Sequence, residues 1–550
     1  MFGAMWPMAI TKKIIFLFLI VHAFAQAQTD FYFEIKFTDK GNLYSTQAPE
    51  IYLSESSIQK KNKRGIPVDV SDFPIDSNYI KDVKNLGGNV VKSSKWRNSV
   101  LIKTDDTSNI TNLRALPVVA SATYFTLLPQ GVLKTNAANK LEREVDWYQQ
   151  NYLEGITQIA MMNGHFLHER GFKGEGMDIA VFDAGFPDVL PVINELKLSN
   201  QIKSTYDFVD GDEYVYEKFQ HGTMVLSVLG AHDTYFSGVA PNANYHLFIT
   251  EDTQSESLLE EYNWLMAAER ADSIGVDVVN SSLGYTTFDD IATNHTYFDM
   301  DGKTTLVTQA ANMLARKGVF VVSSAGNDGA NLWHYIAAPA DGDSVLAVGA
   351  VNKDRVYASF SSTGPSADGD VKPNVTAMGD GAVIGYNSMY LKSGGTSFSG
   401  PMVAGLVACY WQSSPSISNL QLKSKIELNA SQAAQPDSLL GYGIPDFMKM
   451  FMKEKSSDEY VYGQSYLMSL RNSIFTDYVG IELYSATQQK VRFQLLDMNG
   501  RLVGDQTKEV QENQYLIFGF EDLQNLSSGM YVLMVFGENG EWDRYKVVKR

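Results

Sequence analysis

Residues 177–185 read MDIAVFDAG, an apolar run from Ile179 to Phe182 that stops on Asp183, Ala184 and Gly185. A strand with one wet face alternates apolar and polar residues, whereas a run like this suits a strand covered on both faces. Runs of the same texture follow at NYHLFIT (244–250), VDVVNSSLG (276–284), GVFVVSSAGN (318–327) and SVLAVGAV (344–351). Helical patterns lie between them, as in SESLLEEYNWLMAAERADSIG (255–275) and LVTQAANMLARKG (306–318). Strand–helix alternation with apolar strands predicts a parallel sheet between two helical layers, a three-layer α/β/α core of the α/β class. The pattern spans residues 150–452.

At 550 residues the chain is too long for one ordinary domain, and 44% apolar with 20% charged residues is the balance of a folded protein. Residues 29–127 read as a small α+β domain. FYFEIKF (31–37) is a strand, and SESSIQKKNKRG (54–65) is a polar helix ending at Gly65. SNYIKDVKNLGG (77–88) is a second helix, and NVVKSSKWRNSVLIKT (89–104) two strands joined by a turn. A linker with a charged helical patch follows at 128–150. Residues 465–550 read as a small β-sandwich, with hairpins at Asn499-Gly500 and Asn539-Gly540, dipeptides that favour type I′ turns.

Lys12 and Lys13 precede the apolar stretch IIFLFLIV (14–21), and AFAQAQ (23–28) offers small-residue cleavage sites after Ala25 or Ala27. This is the layout of a signal peptide over residues 1–27, so a secreted or cell-surface protein is predicted. No other stretch approaches the roughly 20 apolar residues of a membrane helix, and no transmembrane segment is expected. The formal charge of −18, without a long basic block, argues against a nucleic-acid partner. With one cysteine, Cys409, no intramolecular disulfide forms; its apolar surroundings predict a buried core thiol.

Open α/β sheets bind ligands at the carboxyl ends of their strands. There the runs end on Asp183, on Ser281 to Gly284 and on Asn327, while His221-Gly222-Thr223 opens a helical run. GGTSFSGPMVAG (394–405) sets Ser397 on a glycine hinge before an apolar helix. A serine hydroxyl needs a base within reach, and an imidazole can take its proton near neutral pH and return it to the leaving group. A carboxylate fixes the imidazole tautomer, and a side-chain amide stabilises the oxyanion. Ser397, His221, Asp183 and Asn327 supply these groups in turn.

The segments DIAVFDAG, HGTMV, SSAGN and GGTSFSGPMVAG, with GVAP (238–241) and SSLG (281–284), resemble the subtilisin-like serine peptidases in motif and order. The resemblance covers about 300 residues and implies a secreted serine endopeptidase with protein or peptide substrates. It implies Asp183, His221 and Ser397 as the catalytic triad, Asn327 as the oxyanion donor, and Ser282, Leu283 and Gly284 as the strand that pairs with substrate backbone. Ala184 stands where the family usually has Ser or Thr, and Phe398-Ser399 where it usually has Met-Ala; both changes leave the reacting groups in place. A lipase-type elbow would need Gly at position 399 and is excluded.

By the same resemblance, residues 29–127 are a prodomain. The C-terminal residues, with LLDMNGRLV, LSSGMYVL and basic Lys546, Lys549 and Arg550, resemble the type IX secretion sorting domain of Bacteroidota, with that secretion machinery as partner. The chemistry requires no cofactor. Structural calcium is an expectation attached to the acidic loops at 210–213, 299–302, 341–343 and 368–370, with no metal ligands assigned. The rival reading is a catalytically inactive subtilase fold used as a binding or adhesion module at the cell surface.

Overall fold

The computed structural model describes residues 29–129, 154–232, 236–386, 389–459 and 466–550, the last span without 471–472, 486–487, 512–513, 521–522, 539 and 541. The signal peptide expected at 1–27, and nearly all of the linker expected at 128–150, lie outside the described residues. The chain divides into two compact units, one of residues up to 43 with 74–135, the other of 44–73 with 136–550. Residues 29–127, read from the sequence as one domain, are therefore shared between them. Helices in this stretch are α1 (Glu55–Arg64), α2 (Ser77–Asn85) and α3 (Ile110–Arg114).

In the first unit, β1 (Thr29–Phe37), β2 (Asn89–Ser94), β3 (Ser99–Thr104) and β4 (Val119–Pro129) form an antiparallel sheet in the order β2-β3-β1-β4. Ile35, Val100 and Ile102 from this sheet pack with Val83 of α2 and Leu113 of α3.

The second unit is built on β5 (Asp178–Asp183), β6 (Ile202–Asp207), β7 (Asn244–Ile249), β8 (Val278–Ser281), β9 (Phe320–Ser324), β10 (Val345–Val351) and β11 (Val375–Met378). They lie in the order β6-β7-β5-β8-β9-β10-β11, with every neighbouring pair parallel. Besides α1, which belongs to this unit, its helices among the described residues are α4 (Glu154–Ala160), α5 (His165–Glu169), α6 (Pro191–Leu198), α7 (His221–Gly230), α8 (Leu258–Ile274), α9 (Leu306–Arg316), α10 (Thr396–Ser413), α11 (Asn419–Leu428) and α12 (Phe447–Glu459). The period of two sorts the strand side chains between layers. Ile179, Val181, Val278 and Val322 share a core with α7 and α10, while Phe182 on the other face meets Trp264 of α8 at 5.2 Å between ring centroids. Helix α10 is buried from Thr396 to Trp411, which explains why its sequence is apolar all round.

The chain leaves β5 for β6 and β7 on one side, then crosses to β8 on the other, so the sheet reverses its winding between β5 and β8. That is the place where a crevice opens at the carboxyl ends. Strand β6 carries little apolar signal, since IKSTYD is only part-buried, and sequence reading passed over it. A hairpin of β12 (Asp380–Tyr386) and β13 (Met389–Gly394) leads into α10.

The C-terminal residues form two sheets: β14 (Tyr466–Leu470), β16 (Val479–Ser485) and β19 (Gln514–Phe520) in one. The other has β15 (Ile474–Phe475), β17 (Gln489–Asp497), β18 (Leu502–Val510), β20 (Gly529–Phe536) and β21 (Trp542–Lys549). Ile481, Leu483, Phe493, Leu495, Leu533 and Val535 fill the core of this β-sandwich. At Asn499-Gly500, Gly500 takes φ +79° and the Asp497 carboxylate accepts from the backbone of Asn499 and Arg501. The hairpin forms as read, but on a side-chain-capped turn rather than type I′. Among the described residues, no helix is long and apolar enough to cross a membrane.

Candidate active site

Asp183 is the last residue of β5 and fully buried; His221 is the first residue of α7 and 2% exposed. Gly222 allows the two elements to meet. A Cβ there would stand 2.4 Å from the Gly185 carbonyl oxygen and 3.0 Å from the Asp183 Cβ, so any side chain would push α7 off the strand end. With that approach, His221 Nδ1 lies 2.8 Å from Asp183 Oδ1, which also accepts the Ala184 N–H at 2.8 Å. A carboxylate can only accept, so Nδ1 carries the proton and Nε2 is left as the basic nitrogen. Among the described residues, no protein donor reaches Asp183 Oδ2.

Ser397 lies in the first turn of α10, buried at 7% exposure. Pro401, four residues on, has no N–H to offer the Ser397 carbonyl, so one helical hydrogen bond is missing at that point. The Ser282 hydroxyl takes its place, donating to Ser397 O at 3.0 Å and itself accepting from Asn280 Nδ2 at 3.0 Å. In return Ser397 Oγ lies 3.4 Å from Ser282 O. The end of β8 and the start of α10 are thus tied by reciprocal bonds.

Asn327 follows β9, and its Oδ1 accepts from Thr396 N at 2.9 Å and Thr396 Oγ1 at 3.1 Å. Thr396 Oγ1 also lies 3.1 Å from Gly326 O. With the amide oxygen turned to Thr396, the donor end of Asn327 is Nδ2, which lies 3.8 Å from where a Cβ on Gly395 would stand. The Phe398 ring lies 6.2 Å from the His221 ring, centroid to centroid. Leu283 is buried and Gly284 half-buried as the chain runs from β8 to Tyr285, which pairs with Ala338. The positive ends of α7 and α10 both face this crevice, an environment that favours a developing negative charge.

The structure therefore brings Asp183 to His221, and Asn327 and Ser282 to the turn that carries Ser397. Sequence reading missed Thr396 and Asn280, whose types carry no catalytic signature, and missed what Pro401 does to the Ser397 carbonyl, although a proline four residues after a candidate nucleophile is visible in the sequence. Cys409 is buried in α10, with its thiol pushed up by burial.

Of the acidic loops, two bring carboxylates together: Asp207, Asp210 and Glu217, and Asp343, Asp368 and Asp370. The Lys218 ammonium ion-pairs with Asp207 and Asp210, so the first group already has its cation and does not fit a metal. The second group is exposed, with Asp343 raised by burial and by the charges of Asp368 and Asp370; its all-oxygen donor set is of the kind hard cations take.

The profile of the subtilase family matches residues 169–443, half of the 550-residue chain. The chain belongs to the subtilase family. Residues 32–142 match the peptidase S8 propeptide domain of Bacteroidota, and residues 475–549 a secretion system C-terminal sorting domain. Among relatives, subtilisin E of Bacillus subtilis (strain 168) is 28% identical over 386 residues, 68% of this chain and 87% of the relative. Subtilisin of Bacillus pumilus is 30% identical over 286 residues, 50% of this chain and 90% of the relative. The crystal structure of MycP1 with its N-terminal propeptide removed aligns with a TM-score of 0.42 at 20% identity, over 54% of this chain and 96% of that one. This subtilase is a serine endopeptidase made with a propeptide, and its sorting domain marks it for export or the cell surface.

Proposed function

We propose that this subtilase cleaves peptide bonds through an acyl-enzyme formed on Ser397. Ser397 Oγ attacks the scissile carbonyl carbon while His221 Nε2 takes the hydroxyl proton and then passes it to the leaving amine. Asp183 holds Nδ1–H and so keeps Nε2 basic; it also stabilises the imidazolium. Water then repeats the sequence on the acyl-enzyme and frees Ser397. Asn327 Nδ2 donates to the oxyanion of each tetrahedral intermediate, and the backbone of Ser282 to Gly284 pairs with the substrate strand. These groups supply every proton transfer, so the reading needs no cofactor.

The observation that carries it is the buried 2.8 Å pair of His221 and Asp183 at the sheet's switch point. The first turn of α10, which carries Ser397, brings Phe398 to within 6.2 Å of the His221 ring and is tied to the end of β8 through Ser282. A binding module would not need that tautomer to be fixed. Residues 1–27 serve as the signal peptide in this reading, and the sorting domain delivers the folded protein to the type IX machinery. The test is steady-state kinetics of His221→Ala on a chromogenic peptide, where kcat is expected to fall by about a million-fold. A rate within about tenfold of wild type removes His221 as the base.

A further inference from the structure

The sheet has a second charged pole, at the amino ends of its strands. Asp178 opens β5, Asp277 immediately precedes β8, and Asp272 lies in the last turn of α8; Asp272 and Asp277 are buried. Buried carboxylates demand partners. Here those partners come from α1, within the stretch that matches the propeptide profile. Lys60 Nζ lies 2.5 Å from Asp178 and 2.6 Å from Asp277, and donates to the Gly275 carbonyl at the end of α8 at 2.7 Å. Lys61 reaches Asp272 at 2.6 Å. Arg64 pairs with Asp277, donates to the Gly318 carbonyl beyond α9 and stacks 4.0 Å over the Trp411 ring.

The contact is built from both sides. Lys317, just past α9, pairs with Asp72 at 2.9 Å and Asp69 at 3.1 Å in the segment after α1. Ser54 N–H donates to Ser273 O, and the Ser57 hydroxyl to Asp272 O at 2.7 Å. Gly275, at φ +83°, leaves room for this approach, since a Cβ there would stand 2.5 Å from Ser57 N. Cations placed at the carbonyl ends of α8 and α9 are also favoured by the helix dipoles. A helix of ten residues is marginal in water by itself, so α1 owes its order to this docking.

We propose that the recess of Asp178, Asp272, Asp277 and Trp411 is a docking site for residues 54–72, and that it keeps the propeptide on the peptidase after the chain between them is cut. The recess and Ser397 lie at opposite ends of the strands, so this hold is independent of the substrate cleft. It is likewise independent of the catalytic reading above.

The test uses the full-length Ser397→Ala protein with a site-specific protease sequence inserted after residue 140. The chain is folded, cut with that external protease, diluted, and followed by gel filtration and native mass spectrometry. The N-terminal fragment is expected to stay with the peptidase one-to-one. In the Lys60→Ala/Arg64→Ala form it is expected to leave at least about 30-fold faster. Loss of the fragment from the unsubstituted protein on dilution, or equal retention in both, overturns the proposal. Hydrogen exchange on the unsubstituted protein gives a reading that no variant can spoil. Amides of 58–64 are expected to exchange as slowly after the cut as before it; fast exchange there while the fragments stay joined also overturns it.

Discussion

Strand β5 begins at Asp178 and ends at Asp183, and the two aspartates serve opposite poles of one sheet. Asp183 is paired with a single imidazole and steadied by the Ala184 N–H, so its one side-chain partner is the group read as the catalytic base. Asp178 is locked. Burial acts to raise its pKa, but the hydrogen bond from His246 and the charge of Lys60 outweigh burial and hold the carboxyl well below the usual carboxylate range. A catalytic pole needs groups that change charge during turnover, whereas a docking pole needs charges that do not. The same residue type, at the two ends of one six-residue strand, meets both needs because its partners differ.

The widest separation between the poles should come from removing reacting groups. Ser397→Ala is expected to lower kcat by about a million-fold and Asp183→Asn by about ten-thousandfold, the scale such losses have in subtilisin and related triads. Asn327→Ala is expected to cost about a hundredfold to a thousandfold. Steady-state kinetics on a chromogenic peptide reads all three, and a value within tenfold of wild type for any of them removes that residue's assigned role.

Gly222→Ala sharpens the comparison by moving the base without removing it. The new Cβ displaces α7 from the Gly185 carbonyl, and a loss in kcat of about a hundredfold is expected, with the far-ultraviolet circular dichroism unchanged. Full activity would show that the close approach of α7 to β5 is dispensable.

At the other pole, Lys60→Ala is expected to lower thermal stability while leaving kcat within about twofold. Loss of one partner from a largely buried pair costs up to about 3–5 kcal/mol, and the partial exposure of Lys60 puts this case lower. The pH dependence has a definite sign. Asp178 has a depressed folded pKa, so its stabilisation is fully present above its ordinary value of 3.8 and is lost as pH falls through the folded value. Melting temperatures of the Ser397→Ala protein, with and without Lys60→Ala, should therefore converge in acid. A constant gap between them would contradict the ion-pair account.

The smallest effect belongs to His295, which binds Glu261 of α8 at 2.5 Å. Burial acts to lower its pKa, but the hydrogen bond and charge of Glu261 outweigh burial and raise it. Its contribution is full below about pH 6.5 and fades as pH rises through the folded value. Glu261→Gln should flatten the melting temperature between about pH 6 and 8 relative to the parent; an unchanged slope would assign that slope to another group.

The catalytic pole was legible because each group there is tied to a motif. A carboxylate ending an apolar run, His-Gly opening a helix, and Ser on a glycine hinge before Pro401 are residue types that the chemistry or the close packing dictates. The docking pole was not. KKNKR at 60–64 reads as a solvated basic face, and nothing local shows that Lys61 is 3% exposed and faces Asp272, more than two hundred residues along the chain. The supports of the nucleophile were hidden for the same reason. The Ser282 hydroxyl matters because Pro401 withholds a donor from Ser397 O, a relation that appears only once β8 and α10 are adjacent. Strand β6 escaped notice because an edge strand can stay half-polar, while the central strands β5, β8 and β9 announced themselves by burial on both faces.

The central claim, that Ser397 is the nucleophile of a working peptidase, is tested most directly by covalent labelling. The exported wild-type protein and its Ser397→Ala form would be treated with a serine-directed fluorophosphonate, and the adduct located by peptide mass. The structure predicts one adduct, on the peptide containing Ser397, and none in the variant. A folded wild-type protein that takes no label, or an adduct that persists in Ser397→Ala, would contradict it.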